Sequence, residues 1–239
     1  LTDDHSIRTL LLVAHSSTHH APSGRHAGIA AKRPPGRPPL AQGVDEHAFL
    51  EAALHAFALH GYDAVSVREL SREQGVSHGW VNERFGSKLG LWHAAVDHGF
   101  RPQASVVTFD PTLTDPLEQL EHGIRQFLLY SAEHPELLLV MNTEGAHDGQ
   151  RLDYIHENYI APVLNPFGRL VNHLIEQRRI RPVAARTFFL LLAHGATAPF
   201  GLVALAAKLD STDPRSGQTL EDHIENVTRI LIDGLRTGR

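Results

Sequence analysis

Ser77, His78, Gly79, Trp80, Asn82, Glu83 and Arg84 fall within one short stretch, and their types suit recognition by hydrogen bonding rather than bond making. An Asn can bond adenine bidentately, a Glu can accept from the amino group of cytosine, and a Gly lets backbone approach a base edge closely. Catalysis has weaker support. The chain holds no Gly-x-Ser-x-Gly elbow, phosphate-binding loop or metalloprotease string, and it lacks cysteine, which removes thiolate nucleophiles, disulfides and cysteine zinc sites. Glu144-x-x-His147 and Asp153-x-x-His156 have a spacing that could set two metal ligands on one helix face. Neither forms His-Glu-x-x-His, and such pairs are ordinary on solvated helices. No metal, no cofactor and no enzymatic activity are therefore expected.

Residues that read a partner need a rigid mount, and the surrounding sequence supplies one. Phe49, Ala52, Ala53, Ala56 and Phe57 repeat at helical spacing from Asp45 onward, with Gly61 as a stop. Ser66 and Glu69 have the spacing of a capping box and open a second, short helix that runs to about Gln74. Gly75 can take positive φ, Val76 points inward, and Ser77 can cap a third helix from His78 to Phe85. After Gly86, Ser87 can cap a fourth from Lys88 to about His98, with Leu91, Trp92 and Ala95 inside. Leu70, Val76, Val81 and Phe85 fall where inward residues are needed, and Ser71 is small where the two short helices approach. This is the spacing of a helix-turn-helix, whose second helix can lie in the major groove of B-DNA. Any small helical protein can show a Gly between two short helices, so the turn alone leaves DNA reading and plain packing both open.

Beyond a loop holding Pro111 and Pro116, the pattern predicts helices at about 116–133, 135–146, 150–179, 182–208 and 218–236. No alternation long enough for a sheet occurs, so the fold class expected is all-α. The domains read as a partly basic, disordered tail over 1–43, a helix-turn-helix domain over 44–100, and a helical domain over 101–239. The apolar patch from Leu10 to Ala14 is too short for a signal-peptide core. Thr187–Ala207 carries no formal charge and is long enough to cross a bilayer, but His194 and Pro199 within it favour a helix buried in a core or subunit interface.

The string from Phe57 to Leu70, then Gly75-Val76-Ser77 and Arg84-Phe85-Gly86-Ser87-Lys88, resembles the N-terminal domain of the TetR family of bacterial transcriptional regulators. The likeness covers about residues 45–100. It implies that Ser66 and Lys88, at the starts of the second and fourth helices, contact phosphates, in keeping with the anion preference of helix starts. It also implies that Ser77, His78, Gly79, Asn82 and Glu83 face the groove, since Val81 and Phe85 face the core. Two positions depart from the family: an aromatic residue usually stands at Asn82, and a small or hydroxyl residue is common at Trp80. Trp80 is either a thymine-methyl or sugar contact or a core plug, the plug being favoured, and Arg84 either touches phosphate or pairs with an acid. Ahead of these helices, Pro35-Gly36-Arg37-Pro38-Pro39 is either a minor-groove hook carrying Arg37 or a stiff linker.

The resemblance further implies a ligand-binding and dimerisation half. Two of its segments are apolar enough to need a partner: Leu190–Leu192 with Phe200, Leu202, Val203 and Leu205, and a stripe of Ile224, Val227, Ile230, Leu231 and Leu235. Phe127, Tyr130, Met141, Tyr154 and His194 are the candidates for an effector cavity, although a residue of each kind is more often plain core. The function expected is a homodimeric, cytoplasmic repressor, released from pseudo-palindromic double-stranded DNA by a small-molecule effector, with no membrane partner. The alternative is a helical protein–protein adaptor whose helix-turn-helix is unused.

The net charge of −5 at first argues against a nucleic-acid partner, but the charge is unevenly placed. Residues 1–43 hold five basic and two acidic side chains, residues 44–101 five and eight, and the remainder twelve and seventeen. The reading domain is thus not basic, and attraction to DNA must come from helix starts, Lys88, dimerisation and the arm with Lys32, Arg33 and Arg37. Six histidines lie in 44–101, and affinity should rise on acidification where they are exposed near phosphate.

Overall fold

The structure, a computed structural model, describes residues 44–100 and 110–237. The tail with Lys32, Arg33 and Arg37 lies outside the described residues. Helix α1 spans Glu46–Ala64, with the Asp45 side chain accepting from the Ala48 N–H at 3.1 Å. Gly61 breaks its regular geometry at φ +75°, so the expected stop occurs, and one further turn follows it to Ala64. Helices α2 (Val67–Glu73), α3 (His78–Phe85) and α4 (Lys88–Phe100) follow. Phe49, Ala53 and Phe57 of α1 meet Leu91, Trp92 and Ala95 of α4 in a core that excludes solvent.

The second half begins with α5 (Pro116–Glu133) and α6 (Pro135–Glu144), each opening on a proline whose missing N–H costs nothing in a first turn. A long helix comes next: α7 (Gln150–Ile155), a widened π-type turn at His156–Ile160, and α8 (Ala161–Glu176). The stretch expected as one helix over 182–208 is instead α9 (Ala185–Leu190), a second widened turn at Leu191–Ala196, α10 (Ala198–Gly201) and α11 (Val203–Leu209). Both departures have one physical cause. Pro162 and Pro199 follow the widened turns closely, and the wider turn relieves the clash between a proline ring and the carbonyl four residues back. Helix α12 (Gly217–Leu235) closes the chain. No helix among the described residues is long and apolar enough to cross a membrane.

Two buried clusters organise these helices. The second joins α5, α8, α9 and α12 through Leu120, Ile124, Leu174, Phe188 and Ile232. The first is not confined to the reading domain, because Tyr130, Leu137, Val140 and Ile155 complete it from the other half. The halves approach tightly at Gly99 of α4, where a Cβ would stand 2.8 Å from the Leu137 side chain and 2.6 Å from Leu54 of α1. The Tyr130 hydroxyl donates to the Gly99 carbonyl at 2.5 Å within this packing. Movement of α5 or α6 therefore reaches α4 through packed side chains.

Candidate nucleic-acid interface

The turn between α2 and α3 is built as its sequence dictates. Gly75 takes φ +67°, its N–H donates to Arg72, and the Val76 N–H donates to the Ser71 carbonyl at 2.9 Å. Ser71 is 2% exposed, and its hydroxyl is satisfied by the Val67 carbonyl, so a small polar residue fits the closest approach without cost. Ser66 and Ser77 cap α2 and α3 by accepting from the Glu69 and Trp80 N–H groups at 3.3 and 3.1 Å.

On α3, Val81 is buried while Ser77, His78, Gly79, Asn82, Glu83 and Arg84 are exposed. His78 and Asn82 are four residues apart, as are Gly79 and Glu83, so they stand on successive turns of one solvent-facing side. Trp80 is only part-exposed. Its ring stands edge-on to Phe49 and Phe85, with centroids 5.4 and 5.7 Å apart, which gives it a packing role between α1 and α3. The Arg84 guanidinium is held bidentately by Glu46 at 2.6 and 2.8 Å, and that bond raises its already high pKa. Of the histidines in this domain, His47, His55, His60 and His78 are exposed, whereas His93 and His98 are part-buried.

Lys88 opens α4 beside Ser87, whose hydroxyl accepts from the Gly90 N–H. Its ammonium donates to the Asp63 carbonyl at 3.1 Å and lies 4.7 Å from the centre of the Tyr62 ring. One proton is thus engaged, and an ammonium has two more to donate. Arg151 also approaches the Tyr62 ring, at 4.3 Å, and bonds Glu144, which is 5% exposed, at 2.8 Å. This pairing engages one oxygen of the Glu144 carboxylate with a guanidinium. Tyr62, Glu46 and Arg151 are positioning partners that local spacing does not reveal.

A cavity of ≈ 60 Å³ opens between α5, α6 and the two widened turns. Phe127, Tyr130, Met141 and His194 line it as expected from sequence, joined by Tyr159 and Ile160 from the first widened turn. His194 bonds the Asn142 side chain at 2.8 Å. A smaller apolar cavity adjoins it across Phe127, Val163 and Phe189. Tyr154 is not part of the lining. Its hydroxyl donates to Asp97 of α4 at 2.6 Å, the Tyr159 hydroxyl donates to the same carboxylate oxygen at 2.5 Å, and His93 stacks on Tyr154 with centroids 4.0 Å apart. Burial there lowers the His93 pKa against the opposing pull of Asp97.

A helix-turn-helix with an exposed reading face, mounted on a helical bundle that encloses an apolar cavity, defines a DNA-binding regulator. Residues 49–95 match the family described as bacterial regulatory proteins, tetR family. Solved structures similar over most of the chain include a putative fatty acid metabolism regulator from Clostridium perfringens, with TM-score 0.60 and 20% identity over 80% of this chain and 100% of that one. The ketosteroid transcriptional regulator KstR2 of Mycobacterium tuberculosis matches with TM-score 0.61 and 18% identity, over 82% and 98%. PfmR, a TetR family regulator from Thermus thermophilus, matches with TM-score 0.56 and 20% identity, over 80% and 97%. No curated protein sequence matches the chain. The family match thus covers the helix-turn-helix domain, and the solved structures share the fold of most of the chain.

Proposed function

We propose that the protein is a homodimeric repressor that reads a pseudo-palindromic operator with α3 and leaves it when an apolar small molecule occupies the cavity. The observation that carries the DNA-reading part is the exposed face of α3, where groups able to bond base edges stand clear of the core. Ser66 and Lys88 flank that face and serve as phosphate contacts, with Ser77, His78, Gly79, Asn82, Glu83 and Arg84 along it and Trp80 packed behind it. Phosphate contact by Arg84 requires exchange of its bond to Glu46. Arg37, outside the described residues, would add a minor-groove contact.

Dimerisation is supported by where large apolar side chains are exposed. Leu190, Leu191, Leu202, Val203, Leu205, Leu209 and Ile230 are all exposed, leaving only Leu59 and Leu129 as such residues elsewhere among those described. A two-fold interface over α9–α12 would cover them and set two copies of α3 about one DNA turn apart. Effector control is supported by the widened turns, both of which line the cavity, the first also reaching α4 through Tyr159 and Asp97. At ≈ 60 Å³ the cavity is well below the several hundred Å³ of ordinary ligand sites, so an effector must expand it. Such expansion would displace α4 and shift the population away from the DNA-binding conformer. The structural neighbours described by fatty acid metabolism and by ketosteroids are in keeping with an apolar effector.

The test is a mobility-shift titration of the purified full chain on its own promoter region at low salt. Binding that is specific against competitor DNA supports the reading. Absence of any shift overturns it in favour of an adaptor.

A further inference from the structure

We propose that the groove between α1 and the end of α4 binds a divalent transition-metal ion through His47, Glu51 and His98. His47 and Glu51 are one helical turn apart on α1, and His98 faces them from the last turn of α4. One nitrogen from each imidazole and one oxygen of the carboxylate all lie within 4.8 Å of one another. The two rings meet edge-on with centroids 4.4 Å apart, and His98 Nε2 is 3.9 Å from Glu51 Oε1. A tetrahedral ion with bonds of about 2.0–2.1 Å needs its ligand atoms about 3.3 Å apart. Contraction to that spacing takes small side-chain rotations, and the Glu51 side chain, 71% exposed, meets little packing resistance.

The surroundings favour a cation. Asp97, Glu133 and Glu136 line the same groove with Glu51, and no Lys or Arg stands among its lining residues. His55 lies 3.8 Å from Glu136, and His134 lines the same groove. Two imidazoles and one carboxylate suit Zn²⁺ or its neighbours Co²⁺, Ni²⁺ and Cu²⁺, not the oxygen-seeking Ca²⁺ or Mg²⁺. Three protein ligands leave a fourth position for water. The ion would tie α1 to α4 next to Gly99, where Tyr130 of the other half also bonds. It would therefore stiffen the reading domain at its junction with the regulatory half.

Metal binding in this groove does not require DNA and is measured without it. The chain holds 18 histidines, so weak background binding is expected, and the test compares variants. Full-length protein is titrated with Zn²⁺ by calorimetry, and with Co²⁺ by visible absorption. Wild type should bind one more tight equivalent per chain than His47→Ala/His98→Ala, and should show a four-coordinate Co²⁺ spectrum that the double variant lacks. Glu51→Gln, at an exposed position, should weaken the tight equivalent more than tenfold while the far-ultraviolet dichroism is unchanged, which keeps the test valid if the double variant misfolds. His60→Ala should behave as wild type. Equal stoichiometry and affinity in wild type and Glu51→Gln, or equal loss in His60→Ala, would overturn the assignment.

Discussion

Replacing Lys88 with Ala isolates one charge of the proposed interface, where the acidic reading domain has few cations to spare. Its ammonium is held at the α4 start by the Asp63 carbonyl and the Tyr62 face, and these exposed contacts contribute about 0.5–1 kcal/mol to stability at most. The fold should survive. A dimer would lose two phosphate contacts, and each contact contributes about 0.9 to the slope of log affinity against log salt, so the slope should become shallower by about 1.8. Between about 50 and 200 mM salt, the wild-type advantage should then shrink by about tenfold. Fluorescence anisotropy on the same duplex across that range measures both quantities. The loss should be roughly uniform across DNA sequences, since a phosphate contact carries no base information. An unchanged slope with unchanged affinity would refute the placement of Lys88 against phosphate.

Three further outcomes are expected. Asp115 caps α5 through the Leu117 N–H and is bidentate to Arg179, and these bonds hold its carboxyl below the usual carboxylate range. Asp115→Ala should cost about 1–2 kcal/mol, discounted because the pair is part-exposed, or about 2–8 °C in melting temperature. Because the folded pKa is depressed, the stabilisation is complete above the usual value of about 3.9 and fades as pH falls through the folded value. Melting curves of both proteins should therefore converge on acidification, and a constant gap would count against the ion pair. Leu205→Asp, on a side chain 55% exposed, should turn the dimer into a monomer in light scattering while leaving the helical content intact. Deleting residues 1–43 should weaken DNA binding more than the motif alone suggests, and unchanged affinity would remove the arm from the interface.

The reading domain was legible because its geometry is local. Ser66 and Ser77 bond backbone groups three residues away, and Gly75 needs positive φ whatever the rest of the chain does. The cavity was legible in part. Phe127, Tyr130, Met141 and His194 stood out by chemistry, but a period of 3.6 residues cannot register a widened turn, so Tyr159 and Ile160 were missed although Pro162 and Pro199 marked where the helices would strain. The apolar stripe of α12 was read as one face, and the structure divides it: Ile224, Leu231 and Leu235 serve the chain's own core while Ile230 faces out. Pairings between distant residues were not readable. Arg84 finds Glu46 across 38 positions, and His98 meets His47 and Glu51 only because α1 and α4 pack side by side.

The central claim is that α3 reads base sequence, and selection of bound duplexes from a random pool by the purified full chain tests it most directly. Wild type should enrich one pseudo-palindromic sequence with half-sites about one turn apart. Asn82→Ala should keep the phosphate-driven affinity but relax the preference at one position of each half-site, by about 1–3 kcal/mol. No enriched sequence for wild type, or an identical sequence and preference for both proteins, would contradict the account.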